Sequence, residues 1–132
     1  MAFACGLALA GCGLSQTGQE KSAAGAANPD ALIKSLNSFT EELLSKVEKA
    51  GDTKAGVAEA QALLNARKGE LAASVASLKQ NAEAKGRLLE AEVDNTERVH
   101  RLQIKYADAV AQDAELKAQL ERLIDDYDAL FR

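Results

Sequence analysis

The chain has 132 residues, enough for one domain, and a formal net charge of -4 with lysines and arginines scattered among the acids. No basic stripe exists to neutralise a phosphate backbone, which argues against a nucleic-acid partner. Hydrophobic residues make up 47%, but much of that is alanine and only 4% is aromatic, so the sequence points to a slim fold rather than a thick core. Both cysteines, Cys5 and Cys12, lie in the first twelve residues, so no disulfide framework is possible and cysteine-based metal sites are excluded.

Residues 2–11, Ala-Phe-Ala-Cys-Gly-Leu-Ala-Leu-Ala-Gly, are apolar or small throughout. Such a run can enter a membrane without burying charge, yet it falls well short of the ~20 residues needed to span one. It ends in Leu9-Ala10-Gly11-Cys12, where the small residues Ala10 and Gly11 let the chain lie extended in a peptidase cleft. Leu9-Ala10-Gly11-Cys12 resembles a bacterial lipobox. The resemblance implies that the cysteine sulfur is acylated, that residues 1–11 are removed as a signal-like leader, and that the mature chain starts at Cys12 in the cell envelope. No lysine or arginine lies between Met1 and the apolar run, so the cationic start of such a leader is expected upstream of Met1. Gly13 is not the aspartate associated with inner-membrane retention, and the resemblance therefore favours the outer membrane.

Residues 12–28 are small and polar without periodicity and read as a lipid-bearing flexible tether. Asn28-Pro29-Asp30 is a helix start: Asn28 can cap, Pro29 has its φ preset, and Asp30 faces the positive end of the helix dipole. Leu32, Leu36, Phe39, Leu43 and Val47 then recur at helical spacing. Ala50-Gly51 is expected to end this helix, with Gly51 in the left-handed position and Asp52 or Thr53 capping the next.

A second helix is expected from about Thr53 to Gln80. Val57, Leu64, Leu71 and Leu78 form its seam, with Ala60 and Val75 between, while Gly56 and Gly69 read as tolerated surface glycines. Asn81 is the best cap at the next turn, and Asp94-Asn95-Thr96 is a second candidate break. Past it Val99, Leu102, Tyr106, Ala109, Asp113, Leu116, Leu120, Leu123, Tyr127 and Leu130 follow a three-four alternation. Asp113 is the one charge on that seam. A charge is costly in a core and favourable as an N-cap, so a last helix is expected to start there.

Candidate chemistry is thin. His100 is the only histidine, flanked by Glu97 and Arg101, with no cysteine partner and no methionine beyond Met1. It reads as a surface or boundary residue. Asp125-Asp126-Tyr127-Asp128 cannot converge on one ion, because successive helical residues point about 100° apart. Glu41-Glu42, Glu90 and Glu92 lack the Glu-x-x-His spacing of di-iron bundles. Phe39, Tyr106, Tyr127 and Phe131 sit on apolar faces and read as core packing, with an end-of-bundle pocket at Tyr127 and Phe131 as the functional alternative.

The reading is an all-α, antiparallel up-down bundle over residues 29–132, with four helices, or three if the chain does not break at Asp113. Its expected role is that of a lipid-anchored, extracytoplasmic interaction or structural module. It has no catalytic residues, no cofactor and no metal, and meets the membrane through the lipid on Cys12 and a protein partner or itself. Two alternatives stand beside it. One is a periplasmic bundle that binds a small ligand or metal. The other is a coiled-coil oligomer pairing the Val99 to Leu130 seam between chains.

Overall fold

The protein is described by a computed structural model over residues 28–132; the expected leader, Cys12 and nearly all of the tether lie outside the described residues. Five α-helices follow one another: α1 (Pro29–Glu48), α2 (Thr53–Lys79), α3 (Lys85–Lys105), α4 (Ala107–Gln112) and α5 (Ala114–Asp128), closed by a 3-10 turn at Ala129–Phe131. No strand occurs among the described residues. The fold is therefore all-α. Four helices are long, and α4 has six residues.

Local chemistry sets most of the boundaries. Asn28 caps α1, its side chain accepting from the Ala31 N–H at 3.2 Å, and Pro29 occupies the first turn. Asp52 caps α2 by accepting from the Ala55 N–H at 3.0 Å. The Asn81 Oδ1 accepts from the N–H groups of Glu83 and Ala84, turning the chain into α3. Asp113 leaves the helical region at φ -140° and ψ 100° and accepts from Glu115 and Leu116, so α5 does begin there and the three-helix alternative is set aside.

Four expectations are corrected. Asp94-Asn95-Thr96 is not a break; α3 runs straight through it. Asn95 is fully buried, donating through Nδ2 to Asn37 Oδ1 at 2.6 Å and accepting from Arg98 at 3.3 Å. A side chain satisfied by another helix does not compete for its own backbone, so the helix continues. Tyr106, by contrast, interrupts the expected continuous segment and separates α3 from the short α4. Gly51 does not take the left-handed conformation; Lys49, right-handed, is the C-cap of α1. Gly56 is not a surface glycine. A Cβ there would sit 2.7 Å from Ala50 Cβ and 2.9 Å from the carbonyl oxygens of Lys46 and Val47, so its hydrogen lets α2 press against the end of α1. Gly69 has open space around it, as expected.

The core runs through one continuous cluster. Phe39, Leu43, Leu64, Val99, Leu123 and Tyr127 are completely inaccessible, and Leu71, Leu102 and Leu120 are nearly so. Each buried leucine or phenylalanine contributes about 1.5–3 kcal/mol by leaving water. The Val99 to Leu130 seam is spent inside the chain, although Ala109 is exposed and Tyr106 only half-buried. Four polar pairs line up along α1 and α3: Asp30 with Arg87, Asn37 with Asn95, Glu41 with Arg98, and Glu48 with Lys105. None of the described helices is long and apolar enough to cross a membrane.

Candidate functional site

Cys12, the one site residue expected from the sequence, lies outside the described residues. The remaining candidates fall on the bundle.

His100, on α3, meets Asp128 at the end of α5. Its Nε2 lies 2.9 Å from Oδ2 and 3.1 Å from Oδ1. The side chain is 43% exposed, which fits the boundary position expected for it. The partner comes from the acidic cluster, which the helix geometry splits as expected. Asp126 faces Gln61 of α2 at 2.8 Å and stands 3.7 Å from Arg122, while Tyr127 points into the core. Among the described residues no three metal-ligating side chains gather in one place. Of the other expected acids, Glu41 stands 3.9 Å from Arg98. Glu42 and Glu90 are exposed and Glu92 is half-exposed.

Of the four aromatic residues expected in the core, Phe39, Tyr127 and Phe131 are buried there, while Tyr106 is half-buried at its edge. Phe39 and Tyr127 are completely inaccessible, and the Tyr127 and Phe131 rings pack 5.7 Å apart at 58°. Thr40 Oγ1 donates to the Leu36 carbonyl, and the Tyr127 hydroxyl sits 2.5 Å from Thr40 Oγ1. Burial pushes the Tyr127 phenol up to about 12, because phenolate would lose its hydration there. The ring end of the bundle is tied down further by Lys79, which donates to the Phe131 carbonyl.

Two electrostatic clusters join separate helices at the surface. Lys54 of α2 bridges Asp113 and Glu115, both at 3.0 Å. The Asp113 hydrogen bond, then that of Glu115, raises the lysine above its ordinary value. The Asp113 carboxyl is held below the usual range by the Leu116 N–H first and by Lys54 second. At the far end of α1 and α3, Glu48 raises Lys105 through a 2.6 Å hydrogen bond. An open groove of about 560 Å³ lies beside that pair, with Leu44 and Leu102 in its floor and Ile104, Arg98 and Arg101 along its edge.

Among the described residues the large exposed hydrophobics all belong to one helix. Leu89, Val93 and Ile104, all on α3, are 60%, 58% and 78% exposed. They are not among the positions expected from the sequence, where the buried face of α3 dominates the pattern. The signal was present: Leu89, Val93, Thr96, His100 and Ile104 recur at intervals of three and four.

No protein-family model matches this chain, no curated protein matches it, and no solved structure matches it.

Proposed function

We propose that this chain is a lipid-anchored helical bundle of a bacterial cell envelope, acting as an interaction or structural module rather than a catalyst. The observation that carries the reading is the placement of Leu9-Ala10-Gly11-Cys12: it ends an apolar run and precedes a bundle whose core closes within residues 28–132. A thioether-linked diacylglycerol on Cys12 would supply membrane attachment without a spanning helix. Residues 12–28 would set the bundle off the bilayer. Gly13 favours the outer membrane as its destination.

The same reading takes the bundle as up-down. The polar pairs between α1 and α3 keep an almost constant sequence offset, 57 residues for Asp30–Arg87 and Glu48–Lys105 and 58 for Asn37–Asn95. That offset supports a common direction for α1 and α3, with α2 and α5 returning between them through short connections.

Fractionation of the host with labelled palmitate tests the function. The expected result is a labelled product in the membrane fraction, with label and membrane association both lost on Cys12→Ser. A product that carries no label and stays in the aqueous fraction would overturn the reading.

A further inference from the structure

We infer that the exposed face of α3 is a self-association surface, and that its occupant is the α3 of a second copy crossing it antiparallel. Three observations carry this. First, the exposed large hydrophobics of the described residues are confined to this one stripe. Second, an open groove flanks each end. Leu89 lines one at the α2 side, with Leu88, Gly86, Lys79, Lys85 and Glu92, and Ile104 lines the other at the α1 side, with Leu44 and Leu102. A second α3 crossing obliquely would set its Ile104 in the first groove and its Leu89 in the second. By two-fold symmetry each copy would then use the same two features.

Third, the charge is divided along the helix. From Leu89 to Glu97 there are four acids (Glu90, Glu92, Asp94, Glu97) and no cation; from Arg98 to Lys105 there is no acid, and of the three cations Arg98 and Lys105 pair with Glu41 and Glu48 of α1, which leaves Arg101 as the one no other helix engages. Accommodation of the helix dipole does not explain this order, because the first turn of α3 carries Lys85 and Arg87 and no acid. Glu90, Glu92 and Asp94 have no ion-pair partner among the described residues, and Arg101 is held only by the exposed Glu97 one turn away, a pair of little worth. Antiparallel pairing brings Glu92 of each copy towards Arg101 of the other. A parallel pairing would stack like on like.

The inference deepens the interaction-module reading, and rests on it in taking the bundle surface as the working part; it does not require acylation. The two therefore fail separately. The test is sedimentation of the full 132-residue chain carrying Cys12→Ser, kept reduced, over a range of concentrations. A dimer is expected. Ile104→Glu is expected to leave a folded monomer, and Glu92→Arg or Arg101→Glu alone to raise the dimer dissociation constant at least about tenfold. Mixing the two charge variants one to one is expected to restore a dimer, because each copy then meets its complement. A monomer at all concentrations would overturn the inference, as would a dimer indifferent to these changes. A monomer that binds phosphatidylglycerol vesicles in an Ile104-dependent way would also overturn it and assign the stripe to a lipid surface.

Discussion

The Thr40 Oγ1 and the Tyr127 hydroxyl, 87 residues apart in sequence, share a 2.5 Å hydrogen bond at completely inaccessible positions. The two partners are not equivalent. Thr40 also donates to the Leu36 carbonyl, so removing the phenol oxygen leaves the threonine proton satisfied. Tyr127→Phe is expected to cost about 1 kcal/mol, the net worth of one hydrogen bond. Thr40→Val strands a buried hydroxyl on Tyr127 and is expected to cost more, about 1–3 kcal/mol. Urea denaturation of both variants checks the order.

The same tyrosine makes the bundle alkali-sensitive. Its proton is held to about 12 in the fold and is released near 10 in the unfolded chain. Below pH about 10 both states keep the proton and this contribution to stability is complete. It is lost as pH rises from about 10 to about 12, by up to about 2–3 kcal/mol. Denaturation at a series of alkaline pH values should show the fall, and Tyr127→Phe should flatten it.

Two glycines of α2 are expected to respond to alanine with opposite signs. At Gly56 the added methyl meets the Lys46 and Val47 carbonyl oxygens at 2.9 Å, and backbone cannot swing aside. Gly56→Ala should destabilise by about 1–3 kcal/mol. Gly69 has nothing within 4 Å, so Gly69→Ala should stabilise by about 0.4–1 kcal/mol. Thermal melts of the two variants against wild type settle the signs.

Asp113 is expected to matter first as a cap. Asp113→Asn keeps an oxygen for the Glu115 and Leu116 N–H groups and should preserve α5, whereas Asp113→Ala should fray its first turn. Because its folded carboxyl is held below 3.8, the stabilisation is present above that value and is lost as pH falls through the depressed one. Amide hydrogen exchange at Leu116 and Lys117 reads the fraying directly.

Leu71→Ala probes the seam of α2. Leu71 is 2% exposed, and truncating it should cost about 2–5 kcal/mol by leaving a cavity. A variant as stable as wild type in urea would mean that the core does not run through that position.

What was legible in the sequence was local. The caps at Asn28, Asp52 and Asp113 were readable because a capping side chain bonds to backbone two or three residues on. The buried leucines were readable because burial repeats with the helix. What was not legible depends on partners remote in the chain. In the sequence alone Asn95 reads as part of a candidate break, because Asn37, which satisfies it, lies 58 residues away. Gly56 reads as a surface residue in the sequence, because the closeness of α1 shows only when both helices are placed. His100 reads as a boundary residue from its spacing, but its partner Asp128, 28 residues on, does not show there. The exposed stripe of α3 is masked in the sequence by the stronger apolar pattern of the opposite, buried face.

The central claim is that the protein is anchored through Cys12, and the intact mass of the product purified from host membranes tests it most directly. The account predicts a chain beginning at Cys12 and carrying the added mass of diacylglycerol, with a Cys12→Ser control that shows neither processing nor lipid. An unprocessed, unmodified product of the wild-type sequence would contradict it.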